Sequence, residues 1–381
     1  MFKKFLISGL LSLSSLFAEQ SQISKYSANI KEYSSETRSK LKDIEESKNY
    51  SLRIGQAIDQ KTFAKICSDI KWISDLSTEY GNKNLNSFAP LAKLKNLRQF
   101  EAISWTQSEE TSIDLSPFEN LTEIEVLNFY ATRINNTASL KNLTKLRKLS
   151  LYMSEVNDIS FLENLTNLEE LDLYGFKHTF KDYAPLKNLV TIKKLNTYMN
   201  TQASNENMQV FANLTALEEF SSSNNKLITH VNFLKNATQL VKLKLKWCRK
   251  LQDIEALKNC QKIKNIDLTD SLITSITVLQ NKIHLEDLDI SGTKVTDLSP
   301  LKSCKQLQSL DISDTAIKDL SALAFCPNLK SLNLSKTNIQ DLSPLHKSKS
   351  LRHISYSLKI PDEEISILKK FLPDCKFRIN N

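Results

Sequence analysis

Residues 285–301 read Leu285-Glu-Asp-Leu-Asp-Ile-Ser-Gly-Thr-Lys-Val-Thr-Asp-Leu-Ser-Pro-Leu301, and this stretch decides the fold. Its opening pattern, Leu-x-x-Leu-x-Ile, returns 22 residues later from Leu307 and returns again from Leu329 as Leu-x-x-Leu-x-Leu. A fixed period of this length is typical of stacked coils, because one short strand with its return arc cannot bury an apolar side alone. The sequence therefore predicts a solenoid.

The same pattern extends over most of the chain. Position 1 of the repeat is defined as the first apolar residue of the pattern. Twelve coils are predicted, and their first residues are Leu97, Ile124, Leu146, Leu168, Ile192, Leu217, Leu240, Ile263, Leu285, Leu307, Leu329 and Leu351. A weaker thirteenth coil is predicted to begin at Ile70. The alternation in each coil indicates a strand with one buried face, and successive strands predict a parallel sheet.

The other half of each coil predicts short helical turns. The return arc carries Asp-Leu-Ser-Pro-Leu at residues 297–301 and close variants elsewhere, so an acid caps a turn that proline can enter. Because a 22-residue coil leaves no room for a long helix, we expect 3₁₀ turns. Position 9 is small and polar in most coils, as at Thr293 and Thr315, and is expected to bond the backbone where the strand turns away.

The stretch from Thr293 to Leu301 and its relatives resemble the repeats of internalins and other bacterial secreted leucine-rich-repeat proteins. The resemblance covers residues 67–357. It implies an α/β leucine-rich-repeat solenoid, which is a curved right-handed superhelix with a parallel concave sheet and 3₁₀ turns on the convex side. It also implies that a protein partner, such as a host or envelope protein, binds to the concave face.

Both ends of the chain differ from the repeats. Residues 1–18 have two lysines, an apolar stretch and a small Ala18, which indicates a cleaved signal peptide and a secreted or periplasmic protein. Residues 19–66 are polar and predict a helical N-terminal segment and cap, which could alternatively be an oligomerisation stalk. Residues 358–381 predict a C-terminal cap with a helix and a closing strand. We expect no integral membrane segment after removal of the signal.

The composition argues against an enzyme. Only five glycines occur, so neither common phosphate-binding loop can be built, and the five histidines share no metal-ligand spacing with the cysteines. Acidic residues would lie on an open surface rather than in a pocket. The net charge of +8 comes from charges mixed along the chain, which is a weak case for nucleic acid. We therefore expect no cofactor, no metal and no nucleic-acid partner.

The six cysteines are better explained by the repeat than by a disulfide framework. Cys67, Cys260, Cys304 and Cys326 each precede a predicted strand by three residues, where other coils have leucine. A buried free cysteine packs as a small apolar residue. Cys304 and Cys326 occupy equivalent places on adjacent coils about 4.8 Å apart, so a disulfide between them stays possible.

The concave face holds the candidate binding residues. Side chains at positions 3, 5 and 7 point away from the core, and position 7 is tyrosine in four consecutive coils. These residues are Tyr130, Tyr152, Tyr174 and Tyr198. The stripe would be roughly 15 Å long at about 4.8 Å per strand. Position 8 adds Met153, Met199 and Trp247, and the neighbouring charged candidates are Asp172, Lys244 and Lys246.

Two readings of the stripe are open. Tyrosines favour strands and stack on each other, so they could simply stabilise the sheet. Alternatively they bind a partner, because tyrosine and tryptophan are enriched in binding hot spots. The coils that begin at Leu97, Leu168 and Ile192 have 27, 24 and 25 residues, with irregular loops at 105–111, 176–183 and 200–209, whereas the last coils are strictly 22 residues long. This contrast favours recognition by the coils from Leu97 to Leu240.

Charged bands flank the stripe and could orient a complementary partner, or they could be solvated surface charge. The basic residues are Arg147, Lys148, Lys193, Lys194, Lys242, Lys244 and Lys246, and the acidic ones are Glu169, Glu170, Asp172, Glu218 and Glu219. The sequence thus predicts a non-enzymatic exported protein-binding module. The alternatives are a glycan-binding surface protein, since aromatic tracks also stack on sugars, and a structural envelope protein without a discrete ligand.

Overall fold

The computed structural model describes residues 26–44, 50–79, 84–103, 112–175, 180 and 182–380. A 16-stranded parallel sheet dominates this part of the chain, and its strands follow one another in sequence order. The strands, numbered along the chain, are β1 Tyr26–Ile30, β2 Tyr50–Ile54, β3 Asp75–Thr78, β4 Gln99–Ile103, β6 Val126–Tyr130, β8 Lys148–Ser150, β9 Glu170–Asp172, β10 Lys194–Asn196, β11 Glu219–Ser221, β12 Lys242–Lys244, β13 Asn265–Asp267, β14 Asp287–Asp289, β15 Ser309–Asp311, β16 Ser331–Asn333, β17 His353–Tyr356 and β18 Lys376–Ile379. Strands β5, Ile113–Asp114, and β7, Ile134–Asn135, form a separate pair.

The twelve predicted coils align in one register, so the predicted solenoid is confirmed. In the last coils Leu288 lies opposite Leu310, and Leu310 lies opposite Leu332. All of these leucines are buried in a core that runs the length of the sheet. Fully burying a leucine stabilises a fold by about 1.5–3 kcal/mol, so each coil is stabilised by the coils above and below it.

Short 3₁₀ helices occupy the return arcs, as predicted. They are Ala89–Lys93, Ser116–Phe118, Thr137–Asn142, Ser160–Asn164, Ala184–Leu186, Asn207–Asn213, Asn232–Leu234, Glu255–Asn259, Thr277–Leu279, Ser299–Ser303, Ser321–Phe325 and Ser343–Leu345. The Oδ1 atom of Asp297 accepts a hydrogen bond of 2.7 Å from the backbone N–H of Ser299. The hydroxyl of Ser299 donates to the same carboxylate, and together these bonds lower the pKa of Asp297 because they stabilise its ionised form.

The side chains at position 9 form the predicted hydrogen bonds to the backbone. The hydroxyl of Thr293 donates to the carbonyl of Ile290 over 2.6 Å, and Thr315 bonds Ile312 in the same way. Both threonines are buried, so these bonds satisfy backbone groups that water cannot reach.

The N-terminal segment that was predicted to be helical, residues 19–66, contains strands as well as helices. Residues Tyr26–Ile30 form strand β1, and helices α1, Ser35–Ile44, and α2, Gln60–Asp69, connect β1 to β2 and β2 to β3. Ile30 lies opposite Ile54 in the parallel pair, and both are buried. Pairing with the sheet outweighs weak local propensity, so the polar composition did not reveal these strands. The N-terminal segment thus adds two strands to the sheet.

The thirteenth coil begins three residues later than predicted. Leu76 lies opposite Phe100, so its position 1 is Ile73 rather than Ile70. The sequence was ambiguous because Ile70, Ile73 and Leu76 are evenly spaced and all buried. As a result Cys67 lies in α2 and not at the leucine position of a coil.

The six cysteines are buried free thiols. The Sγ atom of Cys304 donates to the carbonyl of Leu279 over 3.7 Å, and that of Cys326 donates to Leu301 over 3.5 Å. Burial raises the pKa of Cys326 to about 11, so this thiol is unreactive at neutral pH. In the structure Cys304 and Cys326 are therefore reduced thiols in the core, and they do not form the alternative disulfide.

The C-terminal cap has the predicted order of elements. Helix α3, Asp362–Phe371, begins after Pro361, and Cys375 is buried between it and β18. The closing strand begins at Lys376. Among the described helices none is long and apolar enough to cross a membrane. The predicted signal peptide, residues 1–18, lies outside the described residues and stays a prediction.

Candidate functional site

The four tyrosines at position 7 form a continuous stack on the concave face, hereafter the tyrosine ladder (Tyr130, Tyr152, Tyr174 and Tyr198). The ring centroids of Tyr152 and Tyr174 are 4.3 Å apart with an angle of 8° between the planes. Tyr174 and Tyr198 are 4.7 Å apart at 2°, and Tyr130 is tilted by 49° against Tyr152 at 6.0 Å. The parallel strands impose this spacing, because equivalent residues on neighbouring coils lie about 4.8 Å apart.

The rings are half-buried, so the tyrosine ladder is a partly apolar surface. Desolvation raises the pKa of Tyr130, Tyr152, Tyr174 and Tyr198, and for Tyr130 the negative charge of Glu101 adds to the effect. All four hydroxyls therefore stay protonated near neutral pH and can donate hydrogen bonds.

Asp172 lies in the same coil as Tyr174, two residues before it, and is only 8% exposed. Its Oδ1 atom accepts hydrogen bonds from the backbone N–H of Tyr174 over 2.9 Å and from Nδ2 of Asn196 over 3.0 Å. Burial nevertheless raises the pKa of this carboxyl to about 6, because two hydrogen bonds only partly offset the loss of hydration. Asp172 therefore titrates closer to physiological pH than an ordinary aspartate does.

Position 8 turns the chain in the left-handed conformation. From the coil at Ile263 onward this position holds Asp270, Gly292, Asp314 and Lys336, and the first three of these tolerate a positive φ. In the aromatic half it holds Met153 with φ of 57°, Met199 with 66° and Trp247 with 63°. Such a conformation costs a non-glycine residue about 1 kcal/mol or more. The left-handed backbone at position 8 therefore disfavours large apolar side chains and does not explain their presence.

The structure does not bring Met153, Met199 and Trp247 into one patch. The backbone N–H at position 8 donates to the position 7 carbonyl of the next coil, which orders the column. Gly175 lies between the two methionines, and Asn224 lies between Met199 and Trp247. Each side chain consequently borders a different part of the concave face.

The predicted charge bands neutralise one another between coils. At position 2, Glu169 pairs with Arg147 at 2.6 Å and with Lys193 at 2.9 Å. The same alternation at position 3 joins Lys148, Glu170, Lys194 and Glu219. Half-exposed pairs of this kind contribute about 0–1 kcal/mol each to stability. Most of the bands therefore act as internal ladders and offer little free charge to a partner.

Lys242, Lys244 and Lys246, hereafter the lysine triad, differ from this pattern. They fill positions 3, 5 and 7 of one coil, so all three lie on the concave face. Desolvation and the charge of Lys242 lower the pKa of Lys244. The ammonium of Lys246 lies 4.8 Å from the centroid of the Trp247 ring, within reach of a cation–π contact.

The regular coils use their concave polar groups internally. The Oδ1 atom of Asp289 accepts from the backbone N–H of Ser291 over 3.0 Å and from its hydroxyl over 2.6 Å. Equivalent bonds occur at Asp267, Asp311 and Asn333. The acid or amide at position 5 thus stabilises the end of each strand, in agreement with a scaffold.

A groove of about 140 Å³ lies beside the tyrosine ladder, along positions 3 to 5 of β6 to β12. Sequence reasoning missed its polar floor, which consists of Asn128, Ser150, Asn196 and Ser221. The only signal in the sequence was that all four residues occupy position 5 of their coils, where the regular coils have aspartate or asparagine.

Of the three irregular loops, residues 104–111, 176–179 and 181 are outside the described residues. In the third loop, the amide of Asn205 donates to the carbonyl of His230 over 2.6 Å.

Comparisons with known proteins agree with this architecture. A family model described as leucine-rich repeats (2 copies) matches residues 283–324. A search of curated protein sequences gives no match. Among solved structures, an internalin (inlF) from Listeria monocytogenes is 24% identical with a TM-score of 0.57, covering 83% of this chain and 84% of that chain.

Two further solved structures are similar over most of this chain. TLR13 in its complex with ssRNA13 is 18% identical with a TM-score of 0.55, covering 81% of this chain and 49% of that chain. A leucine-rich-repeat protein of Leptospira interrogans is 17% identical with a TM-score of 0.47, covering 82% of this chain and 97% of that chain.

The repeat architecture and the family model over residues 283–324 define a leucine-rich-repeat fold. The 22-residue repeat of this chain and the solenoid that the repeats form are similar to those of an internalin. The predicted resemblance is thus confirmed for the fold.

Proposed function

We propose that the protein is exported through its N-terminal leader and binds a protein partner through the tyrosine ladder and its neighbours. The observation that carries the proposal is the contrast between the two halves of one sheet. The last three 22-residue coils with serine at position 7 have Gly292, Asp314 and Lys336 at position 8, whereas the aromatic half has tyrosine at position 7 in four coils and Met153, Met199 or Trp247 at position 8 in three. If these residues served only to stabilise the solenoid, position 8 would not need large apolar side chains such as Met153, Met199 or Trp247 in a strained backbone conformation.

The stacking of the rings favours a protein over a glycan. Sugars bind to exposed faces of aromatic rings, but Tyr174 lies between Tyr152 and Tyr198 at 4.3 and 4.7 Å, so both of its faces are covered. The tyrosine ladder presents ring edges and hydroxyl groups instead. Such a surface suits the mixed apolar and hydrogen-bonding contacts of a protein interface.

Ring stacking also stabilises the sheet, so the test must separate binding from folding. The bait is the mature chain from Glu19, used in affinity capture against envelope and extracellular protein fractions. It is compared with a variant in which Tyr130, Tyr152, Tyr174 and Tyr198 are changed to alanine. The expected result is a specific partner that the wild type captures and the variant does not.

A matched control changes position 7 in the regular coils, with Ser291, Ser313 and Ser335 replaced by alanine. Circular dichroism and thermal melting verify that both variants remain folded. Equal recovery of the same partner by the wild type and the folded tyrosine variant would refute the proposal. Binding on a glycan array without protein capture would favour the glycan alternative.

A further inference from the structure

The lysines of the concave face fall into two groups. Those of the aromatic half are paired with acids on neighbouring coils, since Lys148 lies 3.1 Å from Glu170 and Lys194 lies 3.6 Å from Glu219. Lys264, one coil beyond the lysine triad, lies 2.8 Å from Glu286. The coil between them is the exception, because no carboxylate within the described ranges is at ion-pair distance from Lys242, Lys244 or Lys246.

The lysine triad departs from the repeat at two of its three concave positions. Lys242 continues the alternation of lysine and glutamate at position 3. Lys244 occupies position 5, where Asp267, Asp289 and Asp311 stabilise the strand end in the regular coils, and an ammonium group cannot accept such a bond because it has donors only. Lys246 occupies position 7 between Ser223 and Thr269, and Trp247 follows in the left-handed conformation. The residues Lys244, Lys246 and Trp247 together indicate selection for something other than the fold.

The three positive charges repel one another in the free protein. Alternate residues of a strand lie about 7 Å apart on the same face, and desolvation together with the charge of Lys242 disfavours the charged form of Lys244. Glu219 and Asp267 moderate this repulsion from the two neighbouring strands, although Asp267 is already bonded by Thr269. An anionic group placed above the coil would relieve the repulsion.

The surroundings limit the size of that group. The basic coil is one strand wide, with Glu219 on one side and Asp267, Asp287 and Asp289 on the other. A polyanion such as a nucleic acid would lie across these acids as well and be repelled. One or two carboxylates of a peptide fit the width of the lysine triad.

We propose that the partner presents an acidic residue to the lysine triad at a fixed distance from apolar side chains that lie on the tyrosine ladder. This inference rests on the proposed function and specifies its partner. Ser223 lies between Tyr198 and Lys246 in the position 7 column, so the two features are two strand spacings, or about 10 Å, apart. An extended peptide covers this distance in about three residues.

The recognised segment is therefore an apolar or aromatic stretch of about four or five residues with Asp or Glu about three residues beyond it. Its direction along the solenoid is fixed, because the charge lies at one end of the tyrosine ladder only. Opposite charges across such an interface contribute to specificity and to the rate of association.

The experiment selects peptides directly, so it does not require the partner to be identified first. A random dodecapeptide library displayed on phage is panned against the immobilised mature protein, and enriched peptides are measured by fluorescence anisotropy. The expected peptides share an acid about three residues from an apolar stretch. Changing Lys242, Lys244 and Lys246 to glutamine should weaken their binding about tenfold or more and flatten its dependence on salt.

A matched variant removes three exposed lysines outside the sheet, Lys235, Lys318 and Lys347, and should bind within about twofold of the wild type. Enriched peptides without acids, or binding by the triad variant equal to that of the matched variant, would overturn this inference. If the tyrosine variant loses these peptides while the triad variant keeps them, the proposed function stands and this inference fails. Recovery of no peptide at all counts against both.

Discussion

Asp172 offers a direct measurement of how strongly the concave face is desolvated. The rise of its pKa from an ordinary 3.8 to about 6 corresponds to about 3 kcal/mol against the ionised form in the folded state. A raised carboxyl pKa means that the folded protein binds more protons than the unfolded chain between about pH 4 and about pH 6. Stability therefore decreases as the pH rises through this window, and the full cost is present at neutral pH.

The change Asp172→Asn removes the charge but keeps the oxygen that accepts from Tyr174 and Asn196. We expect the variant to be more stable than the wild type by up to about 3 kcal/mol near pH 7.5, and by close to zero near pH 4. Urea unfolding at several pH values in this range measures the difference. An equal difference at both ends of the range would refute the reasoning, because the effect would then not arise from ionisation.

A control of opposite sign is available in a return arc. Hydrogen bonds from the hydroxyl and backbone N–H of Ser299 lower the pKa of the exposed Asp297. Its carboxylate therefore stabilises the fold at neutral pH, and this contribution is lost as the pH falls through the lowered pKa. Asp297→Asn should accordingly be less stable than the wild type near pH 7.5. If Asp172→Asn and Asp297→Asn changed the free energy of unfolding in the same direction near pH 7.5, the effect at Asp172 could not be attributed to burial of its charge.

Two further predictions concern residues that break the repeat. Lys282 is 1% exposed at a position where other coils have leucine, its ammonium donates to the carbonyl of Lys258 over 2.9 Å, and desolvation lowers its pKa. Lys282→Leu should stabilise the protein by about 1–2 kcal/mol at neutral pH. The gain should shrink as the pH rises through the lowered pKa of Lys282, because the wild-type lysine then becomes neutral in the folded state; a pH-independent gain in urea unfolding would contradict this. Met199→Gly should relieve about 1 kcal/mol of backbone strain and leave the thermal midpoint at or above that of the wild type, while partner capture decreases. A large loss of stability would instead make Met199 structural.

The repeat could be read from the sequence almost to the residue because its period constrains many positions at once. A shift of one residue would turn every buried leucine of a strand to solvent, so the twelve coils from Leu97 allow one register. At Ile70 and Ile73 this constraint was missing, since two alignments bury the same residues. The N-terminal strands were missed for a related reason, because their register depends on contacts with the rest of the sheet and not on the local pattern.

The candidate site could be predicted only in part. The tyrosine ladder followed from the repeat, because position 7 places its side chains on one face at one spacing. The pairing of the charge bands did not follow, since it depends on which rotamers allow Glu169 to reach both Arg147 and Lys193. For the same reason the sequence placed Lys244 and Lys246 among the candidate residues but did not show that they lack the ion pairs that Lys148 and Lys194 form.

The equal length of the coils from Ile263 to Leu351 has an evolutionary consequence. Each begins 22 residues after the last, so a whole coil can be duplicated or deleted in the gene without disturbing the register of the others. The longer coils from Leu97, Leu168 and Ile192 are not interchangeable in this way, because each has a different length. Related genes should therefore vary in the number of regular coils while keeping the aromatic half at constant length.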